Sequence, residues 1–180
     1  MSRTYKIVIV GPVGAGKTEA VKVLSDIEAL STEAKASDSV SQVKAATTVA
    51  MDFGVMNLPG GDRVRLYGTP GQERFDFMWE ILSENALGVV LLLDGSAPDP
   101  LSDLRAYVAA FRQIIDQTTL VVGITHSSWG DRHVRPAVAG ELARLSLPAA
   151  VLNVDARVRS ELVTLIKTMI YSLDPLHAAS

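Results

Sequence analysis

The chain has no cysteine in 180 residues. That absence excludes a disulfide scaffold, thiolate zinc or iron–sulfur sites, thiol catalysis, palmitoylation and C-terminal prenylation. A basic excess is missing too: 17 Lys and Arg stand against 20 Asp and Glu, a net charge of −3. Proteins that coat nucleic acid need surplus positive charge to displace counterions, so that class is excluded. The apolar run in the opening MSRTYKIVIVG stops at Gly11. It is too short for a signal-peptide core or a membrane span, and Ser2 excludes N-myristoylation. A cytoplasmic location is expected, with membrane contact only through a partner. His126, His133 and His177 lack ligand spacing, so a protein zinc site is not expected.

What is present is a chain with 48% hydrophobic and 21% charged residues. One domain of this size buries about 70% of the surface that its unfolded chain exposes, so residues 1–180 are expected to form a single domain with its own core. Short β-branched runs alternate with helix-period segments. Expected strands are Tyr5–Val10, Thr48–Leu58, Arg63–Gly68, Leu87–Asp94, Leu120–Thr125 and Ala150–Val154. Expected helices are Thr18–Leu30, Leu101–Asp116, Pro136–Leu145 and Val158–Leu173, the last stopped by Pro175, with a further helix opening near the aromatic cluster Phe75, Phe77 and Trp79. The Pro59-Gly60-Gly61-Asp62 stretch between two strands reads as a hairpin turn. Leu87–Asp94 is almost wholly apolar, which marks a central strand covered on both faces. This alternation implies an α/β fold: a mixed six-stranded sheet, mostly parallel, with one antiparallel strand and helices on both faces. Ser31–Ala46 breaks the pattern. It carries only Val40 and Val43 as sizeable apolar side chains and reads as a long surface loop of the kind that is often functional.

Gly11-Pro12-Val13-Gly14-Ala15-Gly16-Lys17-Thr18 fits G-x-x-x-x-G-K-[ST]. Glycines let such a loop curl until successive backbone N–H groups face one anion, and the helix that follows adds its N-terminal dipole. Gly11, Gly14, Ala15 and Gly16 would form the cradle. Lys17 would reach the β- and γ-phosphates, and the Thr18 hydroxyl would ligate Mg²⁺. The loop follows a β-branched strand and precedes a helix, as this chemistry requires.

With these residues the chain resembles the Ras-like small GTPases. It is similar in particular to the bacterial small GTPases often encoded beside roadblock-fold proteins, a group that includes relatives of the gliding-motility polarity GTPase. Thr48-Val49-Ala50-Met51-Asp52-Phe53 resembles the switch I threonine and the strand after it. Gly68-Thr69-Pro70-Gly71-Gln72-Glu73-Arg74-Phe75 resembles the switch II motif D-T-A-G-Q-E-R-F. Thr125, His126 and Ser128 fall where the family has N-K-x-D, and Asp155-Ala156-Arg157 falls where it has S-A-K. The resemblance implies a P-loop NTPase fold, bound GTP or GDP with Mg²⁺, and a switch that hydrolyses GTP slowly. It further implies Thr48 as a second metal ligand, Gly71 at the γ-phosphate, and Gln72 orienting the attacking water. Thr125, His126, Ser128, Asp155, Ala156 and Arg157 would line the base. A roadblock-fold regulatory protein is the implied partner.

Four departures from the family pattern carry expectations of their own. Gly68 stands in place of the acidic residue that holds Mg²⁺ through water, which implies weaker metal binding or help from Asp52 or Asp94. Pro70 stiffens the entry to switch II. Val13 crowds the γ-phosphate side of the loop. Ser128 replaces the carboxylate that accepts two hydrogen bonds from guanine, which implies a modest guanine preference. Two alternatives stand beside the switch: a hydrolysis-deficient scaffold, and an ATP-binding P-loop protein.

Overall fold

A computed structural model describes residues 2–31, 51–69, 84–128 and 132–173. Its centre is a seven-stranded sheet. The strands are β1 (Thr4–Val10), β2 (Leu30–Ser31), β3 (Asp52–Asn57), β4 (Arg63–Gly68), β5 (Ala86–Asp94), β6 (Thr119–Thr125) and β7 (Ala150–Asn153), in the order β2-β3-β4-β1-β5-β6-β7. Pairings β1–β4, β1–β5, β5–β6 and β6–β7 are parallel, whereas β3 runs antiparallel to both β4 and β2. The six expected strands are all present, β3 is the single reversed strand, and the two-residue β2 extends the edge.

The helices are α1 (Lys17–Leu24), α2 (Pro100–Ala110), α3 (Arg112–Gln117), α4 (Val134–Arg144) and α5 (Arg159–Leu173). Alternation along the central strands splits the core in two. Ile7, Ile9, Val90 and Leu92 pack with Val21 and Leu24 of α1 and Leu162, Leu165 and Met169 of α5. Val8, Val10, Leu91 and Leu93 pack on the other face with Leu104, Phe111, Ile114, Val138 and Leu142 of α2–α4. Both faces of β1 and β5 are therefore covered, which is why Ile7–Val10 and Val89–Leu93 are apolar at every position rather than every second one.

Three helix boundaries differ from the expectation by more than one residue. The first helix stops at Leu24 instead of Leu30. Ser25 turns to an extended conformation, and its Oγ accepts the Val55 N–H of β3 at 3.1 Å. Arg159 of α5 donates to the carbonyls of Val23 and Leu24 and to Asp26 Oδ1, so the orphan carbonyls of the last turn are satisfied from another helix. The expected helix Leu101–Asp116 breaks at Phe111 (φ −104°, ψ 10°), a buried ring from which α3 restarts and carries Ile114 and Ile115 into the core. The fourth expected helix begins two residues early, at Val134. The hairpin turn is as expected: Gly60 and Gly61 take φ of 89° and 90°, and the Leu58 N–H donates to Asp62 O at 2.7 Å. Glu141 is buried between α4 and α2, where it accepts from Arg105 at 2.8 Å and Arg144 at 3.1 Å. Among the described residues, no helix is long and apolar enough to cross a membrane.

Candidate functional site

All strands but β3 point the same way, so the carboxyl ends of β1, β4, β5, β6 and β7 gather along one edge of the sheet. Crevices at that edge are where open α/β sheets bind ligands. β3 runs backward, so its first residue, Asp52, reaches the same edge.

The loop after β1 is shaped by its glycines. Gly11 has φ +146°, and a Cβ there would lie 2.1 Å from the Leu92 carbonyl oxygen of β5, so no other residue fits. Gly16 has φ +93°, and its Cβ would meet Ala156 Cβ at 2.8 Å, so the loop presses against the β7–α5 connection. Gly14 also has positive φ. Ala15 is fully buried, and its N–H donates to Pro12 O at 3.2 Å, which closes the curl. Lys17 opens α1 with only 7% of its surface exposed, and its Nζ donates back to Pro12 O at 2.8 Å, so the ammonium is held over the loop. Val13 is 74% exposed at the loop's outer rim. Thr18 Oγ1 donates to Asp52 Oδ2 at 2.5 Å.

The opposite wall is built from the ends of β6 and β7. Thr125 is buried, and its Oγ1 lies 2.8 Å from Ala15 O and 3.1 Å from Leu93 O, so it ties the phosphate loop to β5 and β6. Sequence placed Thr125 at the base; in the structure it lines the cleft and also anchors the loop from beneath. His126 takes φ +52°, a left-handed turn that L residues rarely adopt, and this directs its Nδ1 to within 3.3 Å of Asp94 Oδ1. Burial raises the Asp94 pKa, but hydrogen bonds from the Ser96 hydroxyl and N–H, together with His126, outweigh it and hold the carboxyl below its usual value. Asp155 forms a two-pronged pair with Arg157, Nε to Oδ1 at 2.9 Å and Nη2 to Oδ2 at 2.7 Å. Those bonds and the Arg157 N–H lower the Asp155 pKa to about 2.

Between these walls lies an open cleft of about 840 Å³, lined by Gly16, Thr125, His126, Ser128, Asp155 and Arg157 among others. A smaller hollow of about 520 Å³ opens at the other end of β6 and β7, near Thr119 and Ala150, away from the loop. Gly11, Gly14, Ala15, Gly16, Lys17 and Thr18 come together as one loop. Thr125, His126, Ser128, Asp155, Ala156 and Arg157 come together across the cleft from it. Thr48, Gly71 and Gln72 lie outside the described residues, as do the aromatic cluster and Trp129.

Two groups escaped sequence reasoning or entered it only as alternatives. Glu161 accepts the Asp155 N–H through Oε2 at 2.7 Å and so fixes the β7–α5 turn. Its signal was faint: an acidic residue in the first turn of a helix, where the dipole favours it. Asp52 sits directly across the β3–β4 pair from Gly68. Counting outward from Pro59–Asp62 pairs Leu58 with Arg63 and would set Phe53 against Gly68; the Leu58 N–H bond to Asp62 O shifts the register by one residue and brings Asp52 there instead.

The model of a family described as conserved hypothetical ATP binding proteins matches residues 9–128, which hold the phosphate loop and the β6 end of the opposite wall. The chain belongs to that family. It is 24% identical over 178 residues to an intraflagellar transport protein 22 homolog of Xenopus tropicalis, covering 93% of this chain and 91% of the relative. The homolog of the same protein in Danio rerio is 24% identical over 151 residues, covering 79% and 76%. Among solved structures, a bacterial selenocysteine-specific elongation factor, EF-Sec, matches 98% of this chain with a TM-score of 0.67 at 20% identity. The chain spans about 30% of the length of that factor, and the likeness is one of fold. The family and the fold together make this a nucleotide-binding P-loop protein with the mixed, mostly parallel sheet expected of the Ras-like class.

Proposed function

We propose that residues 1–180 form one G domain that binds Mg²⁺–GTP, hydrolyses it slowly to GDP and works as a molecular switch. The observation that carries the reading is the Gly11–Thr18 loop, curled at the end of a central strand with Lys17 held over it and Thr125 bracing it from below. Positive-φ glycines turn the backbone N–H groups of such a loop toward one point, where a β-phosphate is recognised. Lys17 then exchanges its hold on Pro12 O for the phosphate oxygens. Mg²⁺, when bound, neutralises charge on the β- and γ-phosphates. Thr48 and Gln72 are assigned to metal and water by the family motif, and the segments 31–48 and 69–79 are the proposed switch loops. A roadblock-fold protein, in the cytoplasm, is the proposed reader of those loops. No arginine is placed by motif at the γ-phosphate, and an arginine supplied in trans is worth about 10³–10⁵ in rate.

A second reading, an ATP-binding protein, is favoured by the neutral Ser128 at the base wall and by the family's description. Calorimetric titration with GDP, GTP, ADP and ATP in Mg²⁺ separates the two, followed by phosphate release with and without a roadblock-fold partner. Tighter binding of GDP and GTP, with slow release that the partner speeds, supports the switch. Preference for adenine nucleotides supports the second reading, and binding of none of the four rules out both.

A further inference from the structure

We infer that Asp52 is the acidic residue of the Mg²⁺ site, standing in from β3 for the carboxylate that Gly68 cannot provide from β4; the inference rests on the nucleotide-binding reading above. The carboxylate is beside the hydroxyl that would ligate the ion: Thr18 Oγ1 donates its proton to Asp52 Oδ2 at 2.5 Å. A hydroxyl that gives its proton to a carboxylate keeps its lone pairs for a cation, and such outer partners set both the orientation and the basicity of a ligand. The donor set is also of the right kind. Mg²⁺ takes hard oxygens, few of them from protein, and completes its shell with water and substrate phosphates.

Asp52 also fills the space left by the missing side chain. A Cβ built on Gly68 would lie 3.1 Å from Asp52 Cβ and 3.4 Å from Asp52 Oδ2, so the two positions compete for one volume. Either strand can send a carboxylate into it, but not both without movement. The other acids described at the ends of the parallel strands, Asp94 and Asp155, are committed elsewhere: Asp155 pairs with Arg157. Asp94 accepts from Ser96 Oγ at 2.6 Å and from the Ser96 N–H at 2.9 Å, and it faces His126 on the base side. Asp52 reaches the edge only because β3 is the reversed strand, so that its first residue lies level with the end of β4. The relocation has a consequence for any switch: the charge of the metal site moves onto the strand that follows Thr48 and off the strand that leads into 70–79.

Asp52→Asn keeps an oxygen that can accept from Thr18 and removes only the charge. The test measures GDP affinity with Mg²⁺ and in EDTA, and Mn²⁺ affinity of the GDP-loaded protein by water-proton relaxation, with thermal melts of the nucleotide-free form as the folding control. Asp52→Asn is expected to melt like the wild type, bind GDP equally well in EDTA, and bind Mn²⁺ about 10–100-fold more weakly. The double exchange Asp52→Gly with Gly68→Asp returns the carboxylate to β4 and is expected to recover Mn²⁺ binding. Wild-type Mn²⁺ affinity in Asp52→Asn overturns the inference, as does a folded double variant no better than the single one. Failure of the wild type itself to bind GDP with or without metal is a different outcome, and it overturns the nucleotide reading instead.

Discussion

Thr125→Val tests whether the base-side wall holds the phosphate loop in shape. The substitution preserves volume and removes one hydroxyl. The Thr125 hydroxyl has one proton to share between Ala15 O at 2.8 Å and Leu93 O at 3.1 Å, so a single buried hydrogen bond is lost. The net value of such a bond is about 0.5–1.5 kcal/mol, and leaving a buried acceptor unsatisfied costs about 1–3 kcal/mol. A loss of about 1–3 kcal/mol in unfolding free energy is expected in urea melts. The part that falls on the loop shows as weaker nucleotide binding, about tenfold for each 1.4 kcal/mol. If Thr125 acts through the loop alone, GDP and ADP weaken by the same factor. A variant with wild-type stability and affinity would falsify the anchor, and a changed GDP/ADP ratio would mean that the side chain reads the base after all.

Lys17→Ala removes a cation whose charge-assisted contacts are worth about 1.5–3 kcal/mol each, so GTP affinity in a calorimetric titration falls at least about tenfold while the melting temperature of the free protein holds. Unchanged affinity would reject the loop assignment. Glu141→Leu strands Arg105 and Arg144 at the α2–α4 contact, so it lowers the melting temperature, whereas the paired change with Arg105→Leu lowers it less; equal losses would show that the three side chains are not coupled. The Asp155 carboxyl, depressed to about 2 from 3.8, stabilises the fold above the unfolded-state value and loses that contribution as pH falls toward 2. The stability difference between wild type and Asp155→Asn is therefore constant near neutrality and narrows between about pH 4 and 2; a difference that widens there would contradict the Arg157 pairing.

What was legible in the sequence is what local chemistry decides. The Gly11–Thr18 loop needs positive φ at Gly11, Gly14 and Gly16, a demand met by the residue types themselves within one short motif. The almost wholly apolar β5 and the Pro59–Asp62 turn were legible for the same reason. The end of α1 was not. Helical periodicity continues past Leu24, and what stops the helix is Val55 on β3 and Arg159 on α5, respectively 30 and 135 residues away in sequence from the groups they bond. The second role of Thr125 was not legible: its motif position names a base contact, and only the fold shows that its buried hydroxyl also reaches Ala15 and Leu93. Pairing across a hairpin lies between these extremes: the turn was legible, but the Leu58–Asp62 bond shifts the register by one residue, and a one-residue shift decides whether Phe53 or Asp52 lies against Gly68.

The two halves of the site differ in how charge is handled, and under the proposed function that difference bears on selectivity. On the phosphate side Lys17 and the loop N–H groups come from one continuous segment, and a phosphate meets them whatever base it carries. On the base side, among the described residues, two acids at the strand ends are already engaged: Asp94 with Ser96 and His126, Asp155 with Arg157. Ser128 contributes a hydroxyl, which can donate or accept. A charged acceptor committed to Arg157 gains less from guanine N–H donors than an uncommitted one, because its charge is already met at 2.7 Å. A neutral hydroxyl, for its part, leaves no stranded charge when the wrong base enters. Affinity in such a site comes mainly from the phosphates and selectivity mainly from neutral groups, so a Ras-like fold and a family described by ATP binding are compatible in one chain.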